Sequence, residues 1–455
     1  VLPPQSIPFW LCQRRGAGRA GKDRLRSSHQ SKGISVLRQH SLIRSLLSLT
    51  GNPRGCVYTE GLWGIPFNLY SPYVSVYMIA LGLSDTDIGL ILSLSWGLQI
   101  VFALLSGVIT DKLGRRRTTL IFDILSWGVP ALISALAQNF WYFLAAGLIN
   151  SLWRVTLNSW TCLLVEDAEP AQIVDMYTWI YISNQIVGFI APLAGVIIGA
   201  FSLVPTMRGL YLFAAVMFTL KAVITYIFTE ETAQGKVRMH ETRHQSMFGA
   251  LGEYRHVVRT LLQAPQTLYT AGIMLVLSIA TLINGSFWSI LVTEKLNIGA
   301  QYLALFPFVK SAIILGFFFI VMPHINKRQA KLPMVIGFLG FVVSQLVLIS
   351  APASSYAPLI LSVFLEACSF AVVNPLVDQM LALTVNPQER ARIQSIIYVG
   401  VILLTSPFGV IAGRLSAIDK ALPFVLLTVL YLTGAALAYM AGLAAEKRLA
   451  AEAAA

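Results

Sequence analysis

The chain has 455 residues, 56% hydrophobic and only 12% charged, with a formal net charge of +12. A soluble globular chain sits nearer a quarter charged, so the composition excludes an ordinary soluble enzyme or binding domain, although the length would hold two or three. The positive excess does not point to nucleic acid. Apolar runs long enough to cross a bilayer recur along almost the whole chain, and basic residues in such a chain are placed by membrane topology.

Residues 1–56 form a basic N-terminal tail. The first 33 lack the apolar core and small-residue cleavage site of a secretory signal, and read as a disordered tail or as sequence upstream of the working start. Residues 34–49, with Arg38 and Arg44, read as a short interfacial helix. Twelve spans are predicted, at about 58–82, 87–110, 118–137, 141–163, 174–200, 207–229, 266–293, 301–323, 332–350, 357–383, 393–413 and 421–443. Links such as Gln138-Asn139 are short, so neighbouring helices run antiparallel. The exception is a polar linker at 230–265, with an amphipathic stretch MFGALGEYRHVVRTLLQ. The domains are therefore an N-terminal six-helix bundle (57–229), the linker, a C-terminal six-helix bundle (266–445) and a tail (446–455).

With the N-terminus in the cytoplasm, that side receives 26 of the 33 Lys and Arg. The opposite side collects only Arg208, Lys295, Arg414 and Lys420. This bias predicts a multi-pass protein of the cytoplasmic (inner) cell membrane with both termini inside. The four cysteines show neither paired nor metal-ligand spacing, so no metal site is expected. No P-loop occurs, which argues against direct ATP drive, and no H-E-x-x-H or nucleophile elbow lies in a span, which argues against a membrane enzyme.

Shifting the second half by 215 residues aligns Asp111-Lys112 with Asn326-Lys327, Ala191-Pro192 with Ser406-Pro407, and Ser71 and Tyr73 with Ser286 and Trp288. Together with the six-plus-six topology, this predicts two parallel half-bundles facing each other across a central cavity. Gly64, Pro66 and Pro72 in the first span raise the alternative of a fold with discontinuous binding helices, but the sixth span lacks a matching interruption.

Between the second and third spans stands Gly107-Val-Ile-Thr-Asp111-Lys112-Leu-Gly114-Arg115-Arg116-Arg117. Gly107 lies one turn before Asp111 and is small enough for a neighbouring backbone to approach. Gly114 suits a turn with positive φ. Asp111 sits just ahead of the third span, where a carboxylate meets the positive end of a helix dipole. A positive-inside turn alone explains the arginines but not the whole spacing. The pattern G-x-x-x-D-K-x-G-R-R resembles the signature loop of the major facilitator superfamily, and the resemblance covers about residues 57–445. It implies an all-α membrane protein of twelve transmembrane helices in two pseudo-symmetric six-helix bundles. It also implies that Asp111, Arg115 and Arg116 lock and release the cytoplasmic ends of the halves instead of binding substrate. The second copy, MPHINKRQA, keeps only Lys327 and Arg328.

Ionisable groups inside a span cost roughly 2.5–3.5 kcal/mol each, which makes them functional candidates. Arg154 occupies the place of an arginine found in proton-linked members of the resembled family, but Leu157 and Asn158 replace the residues that follow it there. Glu60 is at a depth from which Arg154 is reachable; a structural pair and a coupling pair both fit. Lys310 and Glu366 form a similar candidate pair, and Asp378 lies deeper, where a gate or loop contact also fits. Lys221 reads as snorkelling, and Asp123 as a partner of the arginine turn.

In the fifth span Gly188, Pro192 and Gly195 partly match the exporter signature of the same family; Ala191 and Val196 depart from it, and generic small-residue packing explains it as well. Residues facing the expected pathway are Asn68, Tyr70, Tyr73, Gln99, Asn150, Trp153, Asn158, Asn184, Gln185, Asn284, Trp288 and Asn374. Eight of the nine tryptophans fall at or before Trp179. An aromatic, amide-lined cavity suits amphipathic molecules or sugars. The expected function is proton-coupled efflux of a small organic molecule by a monomer in the bilayer, with the proton gradient as energy source and no cofactor. Sugar uptake and lipid flipping are the alternatives.

Overall fold

The computed structural model of the chain describes residues 46–242, 265–320, 331–384 and 390–454, and every regular element among them is helical. The expected tail up to residue 45, the amphipathic stretch of the linker and the MPHINKRQA segment lie outside the described residues. Apart from a short helix at Ala233–Glu241, the described helices group into twelve rods: α1 (51–80), α2 (Asp85–Leu113), α3 (Arg115–Ala135), α4 (140–165), α5 (170–201), α6 (Leu203–Phe228), α7 (265–295), α8 (300–320), α9 (Lys331–Ile349), α10 (Tyr356–Thr384), α11 (390–418) and α12 (Leu422–Ala454).

Ten of these offer a stretch long and apolar enough to cross a membrane. The other two are α1, which carries Asn52, Arg54, Glu60 and Asn68 in its first helix, and α4, which is broken at Ser151-Leu152. The expected spans fall on the rods in order. Two ends differ: α1 starts at Gly51, and α12 continues through the expected tail to Ala454.

Local chemistry sets the rod ends. At the start of α2, the Ser84 hydroxyl accepts the Asp87 N–H while the Asp87 carboxylate accepts the Ser84 N–H, so two otherwise orphaned donors are satisfied. From there α2 runs 29 residues, about 43 Å at 1.5 Å per residue, enough to cross a bilayer core. Asn139 caps α4 by accepting the Trp141 N–H.

Two proline breaks reproduce the internal repeat. One helix of α5 ends at Gly188 and the next begins at Pro192; in α11 one ends at Thr405 and the next begins at Phe408, beside Pro407. Pro192 and Pro407 stand at equivalent repeat positions, and each lacks the N–H that would continue the ladder. Within the first half α1 packs on α5 and α6, and α4 on α2 and α3; within the second, α9 packs on α10 and α12, and α7 on α12.

Antiparallel succession puts both described chain ends and the α2–α3 turn at one end of the bundle, here the terminal end. The loops at 81–84, 296–299 and 419–421 lie at the opposite, distal end. Among the described residues, contacts between the halves gather toward the distal end. On α2 and α11, Gly89 faces Gly409 and Gly413 so closely that a Cβ on Gly413 would come 2.6 Å from the Asp85 carbonyl oxygen. Ser93 Oγ donates to the Ser406 carbonyl, Ser406 Oγ donates to the Ser93 carbonyl at 2.8 Å, and the Val410 N–H donates to Ser93 Oγ at 2.8 Å. Lys420 joins Asp85 of the first half (2.6 Å) to Glu294 of the second (2.9 Å). On α5 and α8, Gly195 abuts the Gln301 carbonyl, Gly188 faces Ser311, and Phe189 meets Phe308 edge-on at 5.1 Å.

Candidate functional site

The α2–α3 turn is held by the first half and by a short linker helix, Ala233–Glu241. Gly114 has φ +85, as expected of the turn, and a Cβ there would strike the Glu231 carboxylate at 2.5 Å. That carboxylate accepts the backbone N–H of Arg115 (2.8 Å) and Arg116 (3.1 Å). Glu231, not Asp111, therefore meets the positive end of α3. Asp111 instead pairs with Arg115 (2.9 Å) and with Arg238 of the linker helix (3.0 Å). Hydrogen bonding to Asp111 holds the Arg238 guanidinium above its ordinary pKa.

Arg115 is buried and bidentate on Glu166, at 3.0 and 3.1 Å, and Thr232 also donates to that carboxylate. Arg116 donates to the Tyr226 carbonyl at 2.9 Å and lies over that ring at 3.9 Å. Lys112 is half-buried and Arg117 exposed. Among the described residues nothing lies within 4 Å of a Cβ on Gly107, so they show no close approach there in this conformation. Every partner just named belongs to the first half or the linker helix.

The charged groups inside the first half assemble differently from the sequence reading. Lys221 of α6 is buried in direct ion contact with Asp123 of α3, 98 residues away in sequence. Lys221 therefore does not snorkel, and Asp123 does not serve the arginine turn. Glu60 is 5% exposed and makes no ion pair with Arg154. It faces Asp123 and Lys221 across the cavity, with Asn184 of α5 nearby. Arg154 instead donates to Gln99 Oε1 at 3.0 Å and stacks on Trp153 at 4.1 Å, with Tyr398 of the second half in electrostatic reach.

Glu60, Asp123 and Lys221 line a small cavity of about 60 Å³, together with Trp63, Trp127, Trp153 and Trp160. In the second half Lys310 of α8 and Glu366 of α10 meet at 2.7 Å. The Asp378 side chain lies outside the described residues.

The pathway candidates separate into two groups. Tyr70 and Tyr73 are buried, Tyr70 against the Tyr211 ring at 4.8 Å, so both are packing residues. Asn150 donates to the Ser126 carbonyl (2.7 Å), Asn158 to Thr110 (3.1 Å), and Gln185 to Tyr181 (2.9 Å). Asn68 and Asn184 each donate to the carbonyl four residues earlier. Trp288 packs edge-on against Phe306, Asn374 is half-buried on α10, and Asn284 donates weakly to Tyr431 at 3.4 Å while its Oδ1 is buried without a partner. Gly188 and Gly195 of the fifth-span motif serve the seam with α8, with Pro192 at the break between them.

Sequence reading missed Trp63, Trp127 and Trp160 as a group, the Ser93–Ser406 bonds, and Glu166, Glu231 and Arg238 around the turn. The early clustering of tryptophans was the one available signal.

Residues 62–401 match the Major Facilitator Superfamily. The chain belongs to this family. Its fold is similar to that of a mutant of the nucleoside transporter NupG, with a TM-score of 0.66 at 13% identity over 87% of this chain and 98% of that one. It is also similar to a POT family transporter in complex with 5-aminolevulinic acid (TM-score 0.61, 15% identity, 88% and 98% covered). A third likeness is to the human organic anion transporter MFSD10 (TETRAN) (TM-score 0.58, 18% identity, 88% and 100% covered). No curated protein matches the chain. This superfamily member is thus an all-helical, multi-pass membrane protein with a transporter fold.

Proposed function

We propose that the protein is a secondary active transporter that exports a small organic molecule in exchange for protons, working as a monomer in the cytoplasmic membrane. The observation that carries this reading is the asymmetry between the two ends. Among the described residues, the halves are stitched together distally by Ser93, Ser406 and the Asp85–Lys420–Glu294 bridge, whereas the α2–α3 turn at the terminal end bonds within the first half and the linker helix. With both termini cytoplasmic, as the basic-residue bias favours, this is the inward-open state of an alternating-access cycle. Ionisable groups inside the spans of both halves, buried Glu60 with Asp123 and Lys221 and half-buried Lys310 with buried Glu366, are the groups able to link proton movement to that cycle.

Proteoliposomes with an imposed pH gradient test this. A compound that discharges the gradient by proton movement opposite to its own identifies antiport. Proton movement in the compound's own direction identifies symport and overturns the export reading. Failure of cations, sugars and lipid-like compounds alike to move protons overturns proton coupling.

A further inference from the structure

The cavity of the first half contains a charge imbalance. Two carboxylates, Glu60 and Asp123, face one ammonium, that of Lys221, and the ammonium is committed to Asp123. Among the described residues Glu60 is in no ion pair. The other groups around it do not balance it. Cys56 stands one turn back on its own helix, α5 contributes the neutral Asn184, and the α4 cation Arg154 is held by Gln99 and Trp153. An unpaired carboxylate in so buried a place needs a positive partner.

The walls point to what that partner is. Trp63 and Trp127 meet edge-on at 5.1 Å, and Lys221 already lies 5.8 Å from the Trp160 ring centroid, so the box accommodates a cation against an indole. Trp160 and Thr156 are 4% and 5% exposed, yet the Trp160 Nε1 and Thr156 Oγ1 have no hydrogen-bond partner, and both residues line the cavity. Buried polar atoms left unpaired beside an open space mark a place where a ligand supplies the missing bonds.

We infer that this cavity binds a monovalent organic cation with an aromatic or otherwise apolar body, and that Glu60 holds either that cation or a proton, never both. The inference rests on the proton-coupled reading above and names its substrate class. Entry of the cation converts a protonated Glu60 to the carboxylate and releases one proton to water; departure of the cation takes one back. The ring faces hold the body of the ligand, and Trp160 Nε1 meets an acceptor atom on it. A neutral sugar would displace no proton from Glu60.

The test uses the full chain in lipid nanodiscs, with (4-methoxybenzyl)trimethylammonium as the charged probe, whose ether oxygen is an acceptor, and its neutral carbon isostere 1-methoxy-4-neopentylbenzene as the control. Calorimetry in two buffers of different ionisation enthalpy counts protons. The expected result is cation binding with release of about one proton, weakening as pH falls because protons compete for Glu60. Glu60→Gln removes the proton release and the pH dependence and weakens binding about tenfold or more. Trp153→Leu weakens binding but keeps the proton release, which separates loss of a wall from loss of the charge. Equal affinity for the neutral probe, or wild-type affinity and proton release in Glu60→Gln, overturns the inference. So does failure of the cation to bind; a neutral compound that still discharges the vesicle gradient would then leave proton-coupled transport standing. Cation binding with proton release in a protein that drives no flux supports the site and sinks the transport reading instead.

Discussion

The distal closure has two seams, related by the internal repeat and built from different chemistry. At α2–α11, glycines bring the backbones together, and serine hydroxyls and a lysine bridge then cross the gap. At α5–α8, glycines again allow the approach, but the neighbours are the Gln301 carbonyl, Ser311 and the Phe189–Phe308 contact, and among the described residues no ion pair crosses. The repeat thus conserves closeness of backbone and not the bonds made across it. Directional bonds at α2–α11 fix one register, so this seam acts as a latch, whereas a largely apolar contact at α5–α8 lets the helices rock.

Substitutions break this comparison in order of effect. Gly413→Leu places a side chain against the Asp85 carbonyl, a backbone atom that cannot yield, so the latch cannot close. Flux should fall about a hundredfold, and a distal cysteine reporter should become reactive. Gly195→Leu in the rocking seam overlaps the Gln301 carbonyl and should cost about tenfold, because α5 is already broken at Pro192 and has room to shift.

Ser93→Ala removes a donor to the Ser406 carbonyl and the acceptor of the Val410 N–H. At about 1 kcal/mol per bond, the closed state should lose about 2 kcal/mol, read as a shift in spin-label distance populations. Asp85→Asn leaves Lys420 with Glu294 alone and should shift the same populations by about 1 kcal/mol, roughly fivefold.

The smallest effect expected is that of pH on the latch. Next to the latch, within the second half, Asp419 is held below the usual carboxylate range by the Ala421 N–H and then by Lys295, so this neighbouring contact is present above about pH 4 and lost only as pH falls through the depressed value. Burial opposes the charge on Lys420, but hydrogen bonds to Asp85 and Glu294 outweigh it and raise its pKa. Its contribution is therefore complete below about pH 10.4 and lost only as pH rises through the raised value. Distal accessibility in the absence of substrate should thus be flat from about pH 5 to about pH 9. A steep change in that window would place the proton switch in the latch.

The twelve rods and the repeat were legible because long apolar runs and a proline at a fixed offset are linear features. The turn at Gly114 was legible because positive φ is a local demand. What failed was rotation and distance. Hydropathy does not say which face of α6 carries Lys221, so a residue that meets Asp123 across the bundle read as snorkelling. Asp123 was assigned to the arginines nearest in sequence, although one helix turn after another carries it away from them. Gly107 shows a different limit, since its neighbour depends on which end of the bundle is closed.

The most direct test of alternating access is a pair of spin-label distances, one across each end. Leu136→Cys with Ile418→Cys reports the distal end and Leu113→Cys with Leu332→Cys the terminal end, all four being exposed positions. The account predicts a short distal and a long terminal distance in the resting protein, and two populations that exchange in opposite directions when a transported compound or a pH gradient is applied. Distances that stay fixed at both ends, or that lengthen together, would contradict it.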